Sequence, residues 1–105
     1  MHCFSSSVEI LKEVLKLGAY ISIAGPVTFK NARSLIDVAK LVPEDKLMVE
    51  TDCPYLSPEP NRGKRNDSSN LPLVCKKLAE YKNMDEEQVS KIVYDNSCKF
   101  FKITP

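Results

Sequence analysis

Residues 47–52 read LMVETD, three apolar residues that pass directly into three polar ones. A short apolar run bounded by polar residues is typical of a buried strand in a parallel sheet. In parallel α/β proteins, ligands collect at the carboxyl ends of the strands. The stretch therefore predicts a strand and, at its end, a candidate functional carboxylate, Asp52.

Two further runs, residues 2–4 and 19–24, have the same strand-like character. Helix-like segments separate the three runs, and this alternation predicts parallel strands covered by helices. Three parallel strands do not close a barrel, and an open sheet of three would leave two edges unpaired. We therefore expect an α/β architecture in which residues 1–105 form one part of a larger domain.

The first two predicted helices lie on either side of residues 19–24. Ser6 and Glu9 have the spacing of a capping box, and Gly18 supplies the left-handed residue that ends the first helix. The second helix follows Asn31 and ends at Pro43. Apolar residues at helical spacing give each helix a buried stripe: Val8, Leu11, Val14 and Leu15 in the first, and Ala32, Leu35, Ile36 and Ala39 in the second.

Residues 52–70 contain three prolines, one glycine and several Asn and Ser residues, so they predict an irregular loop. A loop of this length is uncommon in a compact domain unless it has a function. Asn70 and Pro72 predict the start of a third helix. Asp85 and Gln88 predict a second capping box before the last helix. The buried stripes of these two helices are Leu71, Val74, Cys75 and Leu78, and Val89, Ile92, Val93, Asn96 and Phe100.

Composition excludes several classes of protein. The chain has 105 residues, of which 43% are hydrophobic and 28% charged, as in soluble globular proteins. Its formal net charge of +1 argues against a general electropositive surface for nucleic acid or anionic lipid. There is neither an apolar run of about 20 residues, as a membrane span needs, nor a signal-peptide pattern. We therefore expect a cytoplasmic protein with no membrane partner.

The four cysteines, Cys3, Cys53, Cys75 and Cys98, are widely spaced and form no C-x-x-C pair. This spacing indicates neither a zinc knuckle nor a redox motif. We expect reduced thiols that behave as small hydrophobic side chains.

The predicted strand ends place a small set of polar residues on one rim. His2 ends the first strand, Thr28 and Lys30 lie just past the second, and Asp52 ends the third. The loop that follows carries three cations, Arg62, Lys64 and Arg65. Imidazole and carboxylate suit a divalent metal that assists hydrolysis, and the cations suit a phosphate group. Each residue also has a purely structural reading, as a packed histidine, a loop aspartate or a solvated basic loop.

Two further polar residues need partners. Glu50 stands two residues before Asp52 and therefore points to the same side of the strand. If that side is buried, Glu50 must find a cation, and Arg62 or Lys64 is the expected partner. Asn96, polar on an apolar stripe, is expected to satisfy a backbone group rather than to bind a ligand.

Several stretches together resemble the TatD family of metal-dependent deoxyribonucleases. They are HCFS (2–5), YIS (20–22), GPVTFKNA (25–32), VETDCPYL (49–56), RGKRN (62–66) and DNSCKFF (95–101), in the order and spacing of the family. The resemblance implies a TIM-type (β/α)8 barrel, with this chain as its C-terminal portion. Such a barrel typically takes about 250 residues.

The resemblance also implies a site. The family hydrolyses DNA phosphodiesters at a centre of two divalent metal ions, Mg²⁺, Mn²⁺ or Zn²⁺, for which His2 and Asp52 would be ligands. Asp52 would also orient or deprotonate the attacking water, and Arg62, Lys64 and Arg65 would meet the DNA backbone. The remaining ligands of the family lie upstream of the matched region. Residues 66–68 read NDS where the family usually reads Asn-Glu-Pro, so the loop can differ in shape.

Three functions remain open on this basis. The first is a TatD-like deoxyribonuclease whose C-terminal portion is inactive alone. The second is an assembly module that completes a barrel with an N-terminal portion or with its own copy, because a partial barrel leaves apolar faces and strand edges uncovered. The third is a related metal-dependent hydrolase with a substrate other than DNA.

Overall fold

The computed structural model describes residues 2, 4–30 and 32–103. Within them the sheet has two parallel strands, β1 (Ile21–Ile23) and β2 (Leu47–Val49), with Ile21 opposite Leu47. The prediction for residues 47–49 is confirmed, and the strand predicted over 19–24 is three residues shorter. The structure thus has the parallel α/β arrangement expected from the alternation.

The strand predicted over residues 2–4 does not form as a regular strand in the described residues. His2 lies in a turn, and Phe4 has no regular secondary structure. The Phe4 N–H nevertheless donates to the Ser22 carbonyl at 2.9 Å, so the chain runs beside β1 at this point. Cys3 lies outside the described residues.

Four α-helices and three short 3₁₀ turns connect and cover the strands. The helices are α1 (Val8–Lys16), α2 (Arg33–Leu41), α3 (Leu71–Lys82) and α4 (Glu86–Phe101). The 3₁₀ turns span Gly25–Thr28, Glu44–Lys46 and Ser68–Asn70. None of the described helices is both long and apolar enough to cross a bilayer.

At the ends of α1 and α4, the structure differs from the prediction at one position and agrees with it at two. The capping box predicted at Ser6 is wrong: Ser7 is the N-cap, and its hydroxyl accepts from the Ile10 N–H at 3.3 Å. Three consecutive serines offer the same capping chemistry, so sequence alone did not select the register. Gly18 is left-handed with φ +82°, as expected. The capping box of Asp85 and Gln88 is confirmed.

The start of α3 also departs from the prediction. Asn70 precedes the helix and Pro72 lies in its first turn, but the Asn70 side chain does not cap the helix. It donates instead to Asn66 at 2.9 Å and accepts from Asn61 at 3.0 Å. Asn70 therefore belongs to a hydrogen-bonded network of the preceding loop.

A single apolar core fills the space between one face of the sheet and the helices. Ile21, Ile23 and Leu47 supply the strand side of this core. The helices supply the other side with Leu11, Leu35, Val38, Val74, Leu78, Val89 and Val93. The predicted stripes are thus largely confirmed, but Phe100 is 50% exposed, because the end of α4 packs edge-on against Tyr20 rather than into the core.

The alternate residues of the two strands face away from this core. Ser22 and Met48, which are paired across the strands, and Glu50 just beyond β2 line an open cleft of about 350 Å³. His2 lines the same cleft. One face of the sheet is therefore packed, whereas the other, with its polar residues, borders a concave surface.

Cys53, Cys75 and Cys98 are free thiols, as predicted, and Cys75 is buried in the core. Burial raises the pKa of the Cys75 thiol; a hydrogen bond with Ser90 opposes this shift and the charge of Glu86 adds to it. Cys3 lies outside the described residues.

Candidate metal centre and basic cleft

Residues 50–52, called the acidic segment below, begin where β2 ends. The Glu50 N–H donates to the Ile23 carbonyl at 3.0 Å and extends the strand pairing by one residue. Beyond it the chain leaves the sheet, and the Asp52 carbonyl accepts from the Tyr55 N–H at 2.9 Å in a turn. Both carboxylates therefore stand at the carboxyl end of the sheet, as the sequence predicted.

Glu50 lies against His2. The distance from His2 Nδ1 to Glu50 Oε1 is 2.6 Å, with 76% of the imidazole and 17% of the Glu50 side chain exposed. The two groups form an ion pair only when the imidazole is protonated, and among the described residues no aligned hydrogen bond to the buried Oε1 atom is found.

The prediction that Arg62 or Lys64 pairs with Glu50 is wrong. Arg62 and Lys64 were the predicted cations, but His2 is the group that reaches the carboxylate. The Arg62 guanidinium instead lies 3.8 Å from the centroid of the Phe29 ring, and the Lys64 side chain is exposed.

The donor set at this position fits a divalent metal in part. Imidazole nitrogen and carboxylate oxygen are common ligands of Zn²⁺ and Mn²⁺, and a buried carboxylate oxygen without a donor gains most from a nearby cation. Within residues 2, 4–30 and 32–103, no three His, Cys, Asp or Glu side chains cluster as a metal site. The described residues therefore bring together two candidate ligands, His2 and Glu50, which is fewer than a closed metal site needs.

His2 and Asp52 were predicted to lie side by side. The contact that the structure contains is between His2 and Glu50, and Asp52 follows Glu50 by two residues at the same end of the sheet. The structure therefore brings His2 to Glu50, and the assignment of His2 and Asp52 as metal ligands stays a prediction.

The loop over residues 52–70 is held by specific contacts despite its irregular backbone. A Cβ atom added to Gly25 would lie 2.2 Å from the Leu56 carbonyl oxygen, so the loop packs directly on the turn after β1. The Thr28 hydroxyl accepts from the Glu59 N–H at 2.7 Å and donates to the Gly25 carbonyl at 2.8 Å. Thr28, a candidate from its position, is therefore a buried structural residue, and Lys30 is exposed to solvent.

A basic, partly aromatic cleft runs along the outer side of this loop. Its walls include Phe29, Tyr55, Arg62, Lys64 and Arg65. All three cations and Tyr55 are exposed, so their polar groups are available to a ligand. The planar contact with Phe29 restrains the Arg62 guanidinium, as cation–π packing does.

Asp67 lies just beyond these cations, in the part of the loop that departs from the family pattern. Hydrogen bonds from the Ser69 hydroxyl and the Ser69 N–H lower the pKa of Asp67, and the charge of Arg65 acts in the same direction. Asp67 is therefore engaged in the Ser68–Asn70 turn rather than oriented toward the acidic segment.

Aromatic residues line the same open cleft as His2 and Glu50. Phe100 packs edge-on against Tyr20, with ring centroids 5.3 Å apart, and against Phe101 at 5.0 Å. The Lys46 ammonium lies 4.7 Å from the centroid of the Tyr20 ring. Phe100 and Phe101 are 50% and 61% exposed, so this cluster presents apolar surface to solvent.

Two features of the site were not predicted. One is the role of Asn66, which is only 2% exposed and donates to Thr51 and to the Tyr55 carbonyl, both at 2.8 Å. The other is the pairing of His2 with Glu50. A polar residue in a long loop after a candidate ligand is the only signal in the sequence, and many loops share it.

The comparisons with known proteins agree with this architecture. A model of the family described as TatD related DNase matches residues 1–102. The chain is 46% identical over 103 residues to the uncharacterized metal-dependent hydrolase YabD of Bacillus subtilis. The aligned region covers 98% of this chain and 40% of that protein. It is 43% identical to the uncharacterized metal-dependent hydrolase YcfH of Escherichia coli K12, over 98% of this chain and 39% of that protein.

Solved structures show the same fold. The TatD homologue YJJV of Escherichia coli K12 superposes with a TM-score of 0.90 at 24% identity, covering 99% of this chain and 40% of that one. The TatD family hydrolase of Entamoeba histolytica gives 0.80 at 22% identity, covering 91% and 39%.

This chain thus spans about two fifths of the length of the relatives that it matches. The family model, by contrast, extends over nearly all of the chain, from the imidazole at position 2 to the end of α4. Its match therefore includes the acidic segment and the basic loop as well as the core. The chain belongs to the TatD-related DNase family.

Proposed function

We propose that this chain is the C-terminal part of a metal-dependent hydrolase that cleaves phosphodiester bonds in DNA. In this proposal β1 and β2 are neighbouring strands of a TIM-type barrel, and the open cleft with Ser22, Met48 and Glu50 is part of its interior. The upstream part of the barrel would supply the other strands and the remaining metal ligands.

One observation carries the proposal: the buried Glu50 Oε1 atom lies 2.6 Å from His2 Nδ1 at the end of β2, and no aligned hydrogen bond to this atom is found among the described residues. An imidazole nitrogen and a mostly buried carboxylate oxygen brought this close together form a pair of ligands that divalent cations accept. A divalent cation near the end of β2 would compensate the charge. The names of the relatives, metal-dependent hydrolases, support the same reading.

In this mechanism His2, Glu50 and Asp52 would contribute ligands for divalent metal ions at the carboxyl end of the sheet. When bound, such ions would supply Lewis-acid polarisation of a phosphoryl group and a lowered pKa of water. Asp52 would orient the attacking water and accept its proton. Glu50 offers its buried oxygen beside the His2 imidazole, so that the two donors stay together.

The cations of the basic cleft neutralise and orient the substrate backbone. Arg62 and Arg65 can each bind a phosphate in a bidentate manner, whereas Lys64 acts as a point charge. Phe29 restrains Arg62 from below its plane. A DNA strand that follows this cleft would approach the acidic segment from the loop side.

The experiment is a chimera in which the upstream segment of the Bacillus subtilis relative is joined to this chain. We expect the chimera to hydrolyse single-stranded DNA with Mn²⁺ or Mg²⁺, and Asp52→Asn to abolish the activity. Lys40→Ala, on the exposed side of α2, is the matched control and should keep it. A chimera that folds, binds Mn²⁺ and cleaves an amide or a lactone but not DNA would favour the related hydrolase with another substrate.

The chain alone is expected to show no appreciable nuclease activity. Two or three ligands cannot hold a metal pair in fixed geometry, and loosely held groups lose most of their catalytic effect. Nuclease activity of the isolated chain that disappears in Asp52→Ala would contradict this incompleteness.

A second function, assembly, is favoured by the aromatic cluster of Tyr20, Phe100 and Phe101. This cluster and the open side of the sheet together offer an apolar and edge-pairing surface to another polypeptide. We propose the upstream portion of the same fold as the occupant, because the relatives are about two and a half times as long as the matched region.

Co-expression tests the assembly. We expect an upstream segment of the Bacillus subtilis relative to co-purify with this chain and to lose the interaction in Phe100→Ser/Phe101→Ser. Leu17→Ser, a change at an exposed residue after α1, is the control. Association of the chain with itself in place of the upstream segment would favour a homo-oligomer.

A further inference from the structure

The acidic segment is held by sheet hydrogen bonding at its first residue and by loop contacts beyond it. At residue 50 the backbone is part of the sheet pairing, through the bond to Ile23. From residue 51 onward no strand or helix includes the chain until Ser68. The proposed metal-binding carboxylate of Asp52 therefore stands on irregular backbone, where local geometry depends on individual contacts.

Asn66 supplies most of these contacts. Its side-chain Nδ2 donates to the Thr51 hydroxyl and to the Tyr55 carbonyl, both at 2.8 Å. Its backbone N–H donates to the Pro54 carbonyl at 3.0 Å. Three bonds from one residue thus reach positions 51, 54 and 55, on both sides of Asp52.

The Asn66 amide is itself held. Its Oδ1 accepts from Asn70 Nδ2 at 2.9 Å, and Asn70 Oδ1 accepts from Asn61 Nδ2 at 3.0 Å. Asn70 immediately precedes α3, so the chain of amides connects the acidic segment to a helix packed on the core. Asn66 is 2% exposed, which protects these bonds from competition with water.

We infer that Asn66 is a positioning residue for the acidic segment. Through Thr51 it fixes the backbone between Glu50 and Asp52, and through Tyr55 it closes the turn that follows. A metal site requires its ligands to be held within about 0.5 Å of the productive geometry, and Asn66 provides that restraint where secondary structure does not. The consequence for metal binding rests on the proposed function; the restraint itself does not.

Thr51 offers the sharpest test because its hydroxyl can be removed with little change of shape. Thr51→Val deletes the acceptor for Asn66, whereas Thr51→Ser keeps it. In the metal-free chain, we expect Thr51→Val to accelerate amide hydrogen exchange at Tyr55 and Asn66 by roughly fivefold to tenfold, the effect of losing one intramolecular hydrogen bond. Thr51→Ser should exchange at nearly the wild-type rate.

Two further variants separate this restraint from general loosening of the loop. Ser57→Ala removes another buried loop bond, from the Ser57 hydroxyl to the Lys64 carbonyl at 2.8 Å, and should leave exchange at Tyr55 unchanged. Asn66→Ala should act in the same direction as Thr51→Val and more strongly. If Asn66→Ala does not fold, the comparison of the two Thr51 variants still decides.

The link to the metal is measured separately in the chimera, which contains the upstream ligands, by titration with Mn²⁺ and electron paramagnetic resonance. We expect Thr51→Val to weaken Mn²⁺ binding by roughly tenfold, as loss of an outer partner of a ligand does, and Thr51→Ser to bind as the parent chimera does. A folded parent chimera that binds no Mn²⁺ would count against the proposed function and leave the restraint standing on the exchange data. Equal exchange in wild type and Thr51→Val, or equal acceleration in Thr51→Val and Thr51→Ser, would overturn the inference.

Discussion

At the level of single residues, Gly25 shows how the loop depends on one close approach. The residue has no Cβ, and the Leu56 carbonyl oxygen occupies the place where one would be. Leu56 itself has a positive φ of 55°, uncommon for a branched side chain. The contact therefore determines the path of the chain just after the acidic segment.

Gly25→Ala should consequently destabilise the protein by about 1–3 kcal/mol, the usual cost of forcing extra atoms into a packed site. Because the loop backbone must move, we also expect faster tryptic cleavage after Arg62, Lys64 and Arg65. Gly18→Ala is the control: it has open space around it and a left-handed backbone, so it should cost stability without exposing the loop. Equal cleavage rates in the two variants would contradict the role of the close approach.

Cys75 gives the protein a pH dependence in the alkaline range. Burial raises the pKa of its thiol above the ordinary value, so between the two pKa values the folded chain retains a proton that the unfolded chain has lost. Stability must then fall as pH rises from the ordinary thiol pKa through the raised one. Burial lowers the pKa of Lys82 and acts in the opposite direction, but equally in every variant compared.

The measurement is the free energy of unfolding in urea at neutral and alkaline pH. Cys75→Ala should lose less stability than wild type over this interval, although it starts lower because of the lost packing. Cys53→Ala, at an exposed thiol, should follow the wild-type slope. A Cys75→Ala slope as steep as that of wild type would show that another group titrates.

At the level of elements, Asn96 joins α4 to the beginning of β2. Its side-chain amide donates to the Leu47 carbonyl at 2.7 Å and to the Glu44 carbonyl at 2.6 Å. A polar residue on an apolar stripe predicts a bond to a backbone group, and that prediction is confirmed. The two bonds give the Glu44 and Leu47 carbonyl oxygens a donor where the turn leads into a short strand.

Asn96→Ala should therefore cost about 1–3 kcal/mol, the penalty for leaving buried carbonyl oxygens unsatisfied. Urea unfolding measures the loss. Lys91→Ala, on the exposed side of the same helix, should change stability little, and a similar loss in both variants would indicate that helix propensity rather than the amide is responsible.

At the level of the whole molecule, the uneven distribution of apolar surface governs association. One face of the two-stranded sheet is covered by helices, whereas the other borders the open cleft, which is lined in part by Phe100 and Phe101. Exposed aromatic clusters of this kind mark interaction surfaces or aggregation sites. The isolated chain is expected to associate through this surface.

Light scattering over a range of protein concentrations tests this expectation. Wild type should show a mass above that of the monomer that rises with concentration, and Phe100→Ser/Phe101→Ser should bring it toward the monomer. Leu17→Ser/Leu41→Ser removes exposed apolar side chains elsewhere and should not. A wild-type monomer with a cooperative thermal transition would contradict the incompleteness of the fold.

The order and type of the elements followed from local patterns in the sequence. Apolar periodicity located β2 and the four helices, and local chemistry located the left-handed Gly18 and the Asp85 cap, because these signals act over three or four residues. Strand position alone also placed Glu50 and Asp52 at the end of the sheet. The family resemblance added the metal and the substrate as expectations.

Which side chains contact one another depends on the packing of the folded chain. His2 reaches Glu50 rather than Asp52, Arg62 packs on Phe29 rather than on Glu50, and Asn66 ties the acidic segment to α3. Each of these contacts joins residues through an irregular loop, whose path depends on one close approach at Gly25. Such a path is set by packing between distant segments, and no periodic pattern in the sequence records it.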